Sequence, residues 1–370
     1  MDVLKEKFLT EKKEIKENFF LGAAGFFSYD FGLSFENIKS QHIKTNTFPD
    51  AFFGIYTNSF SFNHQTNEWF FNSIENDSKI CFYEEKEINF SDIKTYFISS
   101  EFKKEEYENT ILKAKKYIYE GDIYQVNLSQ KFFGKTISSP FSVYEKLRKK
   151  NPAPYSAFMQ IDKNHHILST SPELFLKLNS NKIETHPIKG TIQRSKIFSE
   201  NETLKQKLFN SEKDFAELLM IVDMERNDLN RICKTGSVNV ETLKQIETYE
   251  TVHHLVAKIN GKLQNKINVF ETIKSMFPGG SITGAPKIRA MEIIDELEKS
   301  HRGIYTGSIG FIDFSLNAMF NIAIRTLMME NEKFWFNVGS GIVADSSPEK
   351  EYQETLHKAK GILSALNIEI

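Results

Sequence analysis

Residues 304–338 read IYTGSIGFIDFSLNAMFNIAIRTLMMENEKFWFNV. Three apolar runs follow one another there: Ile304–Phe314, Ala318–Met328 and Lys333–Val338. Rich in aromatic and β-branched residues, they read as consecutive strands. On either side, helical spacing takes over. Glu349–Leu366 reads as a final helix, Pro286–Leu297 and Asp214–Asn227 as earlier ones. Lys103–Tyr119 places Tyr107, Ile111, Ala114 and Ile118 on one helical face and stops at Gly121. Ile123–Phe132 alternates instead: Tyr124, Val126 and Leu128 against Gln125, Asn127 and Ser129. That pattern predicts a half-buried strand whose polar Gln125 face suits a cavity wall. Strands and helices come in blocks, which points to an α+β fold rather than a regular βαβ alternation.

Residues 1–100 are rich in Phe, Tyr, Asn and Ser, with short apolar runs at Ala51–Tyr56 and Lys79–Tyr83, and read as short strands and loops. The 33 phenylalanines of the 370-residue chain are read as core filling. Basic residues number 47 and acidic residues 49, so no electrostatic excess invites nucleic acid or an anionic membrane. The opening MDVLKEKFLTEKKEIKE lacks the apolar core of a secretion signal. No apolar run approaches the roughly 18 residues of a membrane span. Cys81 and Cys233 form no CxxC pair; they read as small buried hydrophobes in a reducing cytoplasm.

Four stretches have the residue types for chemistry. Pro278–Lys287, PGGSITGAPK, brings glycines and a helix start together. Pro286 suits a first helical turn, and a helix N-terminus fed by such a loop attracts an anion. An ordinary tight turn capped by Thr283 explains it equally well, and Ala285 stands where a P-loop needs lysine. Asp214 and Glu217, like Glu351 and Glu354, are three apart and share a helix face. Two such faces meeting would suit a hard cation such as magnesium, although acids so spaced are usually a solvated face. Glu173 in Ser171-Pro172-Glu173 precedes Lys189 by sixteen residues; converging in one pocket they would serve as general acid and nucleophile, and apart they are two exposed charges. Adjacent His253 and His254 in a strand point to opposite faces, which makes a poor bidentate metal site and favours satisfied structural histidines.

Read in order, GDIYQVNLSQKF, SPELF, HPIKGT, ELLMIVDMERNDL, YETVHHLVAKINGKL, FPGGSITGAPKIRAMEIIDELE, YTGSIGF and VGSGIVADSSPEKEYQETLHKA resemble the chorismate-utilising enzymes over roughly residues 100–370. That family includes component I of anthranilate synthase and of aminodeoxychorismate synthase, isochorismate synthase and salicylate synthase. Its fold implies large antiparallel β-sheets packed against each other with helices outside. The likeness divides the chain into a shortened β-rich region, 1–100, and a catalytic domain, 101–370. It implies that Glu217 and Glu354 hold Mg2+, with Asp214 and Glu351 nearby through water, and that the metal holds the ring carboxylate of chorismate. Arg325 matches the arginine that grips the enolpyruvyl carboxylate, helped by Tyr305 and the backbone around Gly339 and Gly341. Lys358 matches a lysine near the ring carboxylate, and Thr283 and Gly284 belong to the loop that cradles the ring. His254 matches the histidine beside the reacting ring, and Glu173 the acid that protonates the departing C4 hydroxyl.

Two positions sort the branches. Gln125 stands where the water-activating members carry lysine, and an amide is no general base. Lys189 lies in PIKGT, which is similar to the aminodeoxychorismate synthases, whereas anthranilate synthases resemble PIAGT. The resemblance therefore implies amination of chorismate at C4 on the route to p-aminobenzoate and folate, with anthranilate synthase component I as the alternative. No glutaminase motif is found, which implies a separate glutamine amidotransferase subunit as the ammonia source. Full-length relatives carry roughly 100 further N-terminal residues, including an LLES-like segment that forms a tryptophan pocket, for which no counterpart is found.

Overall fold

Every backbone N–H and C=O in a β-rich block needs a partner, and here two antiparallel sheets supply them. The structure is a computed structural model that describes residues 21–74 and 93–368. The run Lys79–Tyr83 and Cys81 lie outside the described residues. In the first sheet, the long strand Val252–Lys262 pairs with Asn239–Thr248 on one edge. On its other edge it pairs with Ile188–Gln193 and then Lys182–His186. The sheet continues through Leu174–Asn179, Ala318–Asn321, Ser308–Asp313 and Gly22–Phe27 to Ala51–Tyr56. The second sheet runs Gly284–Ala285, Gln125–Thr136, Lys333–Ile342, Thr326–Glu330, His165–Ser171, Tyr155–Gln160, with Thr95–Ser100 also paired to Gln125–Thr136. A hairpin, Asn58–Asn63 and Glu68–Ser73, stands apart from both. The α+β frame of large antiparallel sheets with helices is the fold expected from the sequence. Described strands from before residue 101 complete both sheets.

Helices cover the sheets by burying apolar stripes. Ser211 caps Glu212–Ile232 by accepting the Asp214 N–H, and Leu218, Ile221, Val222, Leu229 and Ile232 form its buried face. That helix lies on Val252–Lys262 and Ile188–Gln193, while Pro348–Ala365 lies on Lys333–Ile342. Lys104–Tyr119 and Lys287–Leu297 cover Gln125–Thr136. Phenylalanines fill the core as read: the Phe27 ring lies 4.8 Å from Phe53, 5.5 Å from Phe31 and 5.9 Å from Phe320. No described helix is long and apolar enough to cross a membrane.

Four expectations are corrected. Ala318–Met328 is not one strand. The chain leaves the first sheet after Asn321 and enters the second at Thr326, turning at Arg325 with φ 49°. Ile304–Phe314 is strand only from Ser308 to Asp313. Residues 125–130 are buried on both faces, because helices cover one and the other faces the protein interior, whereas Tyr124 lies outside the strand and is exposed. Pro286 caps its helix from an extended conformation instead of occupying the first turn.

Candidate active site

Two chain crossings between the sheets build the site. Ser171-Pro172-Glu173 passes from the second sheet to the first, and Ile322–Arg325 passes from the first to the second. They run side by side. The Ile322 N–H donates to the Glu173 carbonyl at 3.0 Å, the Ser171 hydroxyl to the Ile322 carbonyl at 2.6 Å, and the Thr170 N–H to the Arg325 carbonyl at 3.1 Å. Glu173 and Arg325 are thereby fixed at the seam where regular pairing stops.

Lys189 comes from the first sheet. Its strand pairs with Val252–Lys262 but slips register between Lys189 and Thr191. Gly190, with φ 76°, sits in that bulge. Lys189 and Glu173 meet at Ser281. The Ser281 hydroxyl donates to Glu173 Oε1 at 2.7 Å, and the Ser281 carbonyl accepts from Lys189 Nζ at 3.3 Å. Glu173 is 3% exposed, and burial raises its carboxyl above the ordinary range against the pull of the Ser281 hydroxyl and the Lys189 charge. The Lys189 residue is half-buried, but its amine is enclosed. Burial lowers the amine, Lys358 adds to that, and Glu217, Glu173 and Glu354 oppose it. An acid pushed up and an amine pushed down toward each other are the opposed shifts that acid and nucleophile need at one pH.

The second sheet closes this spot. A Cβ added to Gly341 would lie 2.4 Å from Gln125 Nε2 and in ordinary contact, 3.6 Å, with Lys189 Nζ, so the glycine makes room for the Gln125 amide beside Lys189. Gln125 is 1% exposed and its Oε1 has no hydrogen-bond partner. Gly284 pairs with Val126, and a Cβ there would lie 2.2 Å from the Gln125 carbonyl. The Thr283 hydroxyl turns back to the Gly279 carbonyl at 3.0 Å, stiffening the loop instead of capping a helix.

His254 and Arg325 lie within electrostatic reach of each other. His253 is the satisfied structural histidine, bonded to Thr248 and Asn201. His254 Nδ1 bonds the Thr191 hydroxyl at 2.8 Å, but its buried Nε2 has no partner. Burial, with help from the Arg325 charge, lowers His254 to about 3, so the ring is neutral. Burial also lowers the Arg325 guanidinium, and among the described residues no carboxylate pairs with it. An enclosed, unpaired arginine is a ready donor to a ligand carboxylate. Tyr305 instead has its ring centre 5.7 Å from the Arg302 guanidinium; that arginine is bound to Glu298 at 2.7 Å.

The acids divide. Glu217 and Glu354 act on each other and on Lys189. Burial raises Glu217, with Asp214 and Glu354 adding to the rise. Burial alone would raise Glu354 too, but Lys358 at 2.7 Å holds it below the ordinary range. Lys358 also donates to the Gly339 carbonyl at 2.9 Å, which ties Gly339 to this wall. Glu351 is elsewhere: Ser340 and Ser346 hydroxyls occupy both its oxygens. Asp214 lies behind Gly190, whose added Cβ would be 2.9 Å from its carboxyl carbon. Among the described residues no three His, Cys, Asp or Glu side chains gather as a metal site. The expected four-acid group is thus reduced to the pair Glu217 and Glu354. A half-buried Glu217 and an exposed Glu354 that repel each other fit Mg2+, which takes one or two carboxylates and completes its shell with water and an anionic ligand.

Sequence reasoning missed Ser281, which lay inside a quoted motif with nothing to single it out, and the buried Glu298–Arg302 pair behind the loop. Arg302 donates to the Ile282 and Asn127 carbonyls at 3.0 and 2.6 Å, bracing the loop against the second sheet. Cys233 is buried as read, its thiol pushed up to about 11 by burial.

Residues 2–364 match the family model described as chorismate binding enzyme. Aminodeoxychorismate synthase component 1 of Klebsiella aerogenes is 39% identical over 93% of this chain and 77% of its own length. Anthranilate synthase component 1 of Aquifex aeolicus (strain VF5) is 44% identical over 73% of this chain, which spans about half of that relative, 54%. The crystal structure of anthranilate synthase component I from Streptococcus pneumoniae TIGR4 superposes with a TM-score of 0.85 at 30% identity, covering 98% of this chain and 85% of that one. With a family match over nearly its whole length, the chain belongs to the chorismate-binding enzymes.

Proposed function

We propose that this protein aminates chorismate at C4 to give 4-amino-4-deoxychorismate, using ammonia from a glutamine amidotransferase subunit. The observation that carries the reading is the meeting of Lys189 and Glu173 at Ser281, with opposed shifts in their acidity. Neutral Lys189 attacks ring C2, the double bonds shift, and the C4–O bond breaks. Glu173 gives its proton to the departing hydroxyl, which leaves as water. Ammonia then adds at C4, the double bonds return and Lys189 is expelled as the free amine. The new ammonium returns a proton to Glu173, so acid and nucleophile are both restored. Arg325 binds one substrate carboxylate, and neutral His254 faces the ring with an unprotonated nitrogen or an N–H free to bond it. Mg2+ held by Glu217 and Glu354 would neutralise the ring carboxylate and absorb charge developing on the ring. Gln125 beside Lys189 supports amination over hydration, since an amide does not deprotonate water.

The second reading is anthranilate synthase, which relatives of comparable identity favour. The two differ at Lys189, for which that reaction has no use. The deciding experiment incubates the purified protein with chorismate, magnesium and ammonium, and identifies the product by mass with and without an added aminodeoxychorismate lyase. A lyase-dependent p-aminobenzoate supports the proposal; anthranilate overturns it. A glutaminase added in trans should let glutamine replace ammonium.

A further inference from the structure

Helix Glu212–Ile232 presents another carboxyl to the site, two turns beyond Glu217. Glu225 is 3% exposed on the helix's buried face. Its Oε1 accepts the Gly280 N–H at 3.3 Å, and the Thr185 hydroxyl lies 3.5 Å from its Oε2. Gly280 immediately precedes Ser281, the residue at which Glu173 and Lys189 meet. The turn rests directly on the helix: a Cβ added to Gly280 would lie 2.5 Å from Met224 Cε and 3.3 Å from Glu225 Oε1.

The nearest cation is already matched. Lys287 Nζ bonds Asp228 at 2.5 Å and the Met276 carbonyl at 2.8 Å, and Asp228 also takes Arg231 at 2.5 Å. An ionised Glu225 would therefore add an uncompensated charge between Asp228, on its own helix, and Glu173 above the turn. Burial, with Asp228 and Glu173 adding to it and Lys287 and the Gly280 amide opposing, raises Glu225 to about 8.

We propose that Glu225 is a positioning residue, an uncharged carboxyl that clamps the Gly280–Ser281 turn to the helix and through Ser281 keeps Glu173 and Lys189 in register. It touches neither substrate nor metal. The proposal deepens the functional reading above, but its test reads chorismate consumption whichever product forms.

Glu225→Gln keeps the size and neutrality of the group, so turnover at neutral pH should stay within about threefold of wild type and fall less at alkaline pH. Glu225→Ala should lower kcat at least about tenfold through misplacement of the acid and amine, with KM little changed. A Glu225→Ala protein with wild-type kcat, or a folded Glu225→Gln protein as slow as Glu225→Ala, overturns the proposal. Melting against pH tests it without turnover. A folded-state pKa above the unfolded one gives stability that is complete below the ordinary glutamate value of 4.5 and is lost as pH rises through about 8. Wild type should lose melting temperature across that window relative to Glu225→Gln. A constant difference between the two proteins overturns the neutral carboxyl. A wild type inert toward chorismate rejects the functional reading, and melting then decides on Glu225 alone.

Discussion

Removing the Ser281 hydroxyl tests the centre of the site with one oxygen atom. Ser281→Ala leaves the main-chain carbonyl that accepts from Lys189 at 3.3 Å, so the amine keeps its anchor. It deletes the 2.7 Å bond to Glu173, which is 3% exposed, and leaves the Ile188 N–H, 3.3 Å away, as the remaining donor to the same oxygen. A hydrogen bond to a neutral carboxyl contributes about 0.5–1.5 kcal/mol. If that bond aligns the acid for proton transfer, turnover should fall roughly threefold to tenfold. Direction in pH follows from the same bond. The hydroxyl holds Glu173 lower than burial alone would leave it, so its loss raises the carboxyl further. Glu173 must carry its proton to act, and activity falls as pH rises through its pKa. The alkaline fall should therefore move to higher pH in Ser281→Ala even as the plateau drops. Chorismate consumption with magnesium and ammonium, followed across pH to separate kcat from KM, reads both effects. A variant within twofold of wild type and with an unmoved alkaline limb would refute the role given to Ser281 and weaken that of Glu173.

Three further outcomes are expected. Lys189→Ala should abolish aminodeoxychorismate formation while chorismate still binds, and any residual product should be of the anthranilate type; unchanged product by mass would remove the lysine from the chemistry. Glu217→Gln should lose magnesium-dependent turnover and weaken magnesium binding in a titration monitored by calorimetry, whereas wild-type magnesium affinity would reject the assignment of Glu217 and Glu354. Arg325→Ala leaves no carboxylate of the protein unpaired, because none pairs with it among the described residues. It should therefore raise KM more than it lowers stability, by roughly a hundredfold for a lost charge-assisted bond of about 2–3 kcal/mol. A large fall in melting temperature with unchanged KM would show that the guanidinium is structural.

What the sequence concealed is instructive about where this site lies. Aromatic and apolar composition found Lys333–Val338, period-two alternation found residues 125–132, and helical spacing found the helices that carry Glu217 and Glu354, because each pattern reports the local character of one element. Neither pattern reports which sheet a strand joins. The apolar run from Ala318 to Met328 reads as one strand, yet its two halves belong to different sheets. The turn that divides them is made by a non-glycine residue with positive φ, which composition does not announce. Glu173 and Arg325 both stand at such transfers, so the acid and the carboxylate-binding cation come together only after both sheets have formed. The same logic explains Glu351, which shares the i and i+3 spacing of a ligand pair with Glu354 but turns to Ser340 and Ser346. Spacing on a helix places two carboxylates on one side of it; partners outside the helix take Glu351, while Glu354 has only Lys358 of its own helix. Since Ser281 joins Lys189, on a strand of the first sheet, to Glu173, at the crossing between the sheets, while its own loop pairs with the second sheet, a shift of one sheet against the other strains both contacts. The chemistry of this site is therefore tied to the packing of the sheets as a whole, and mutations that loosen the brace of Arg302 on Ile282 and Asn127 should act on turnover from a distance.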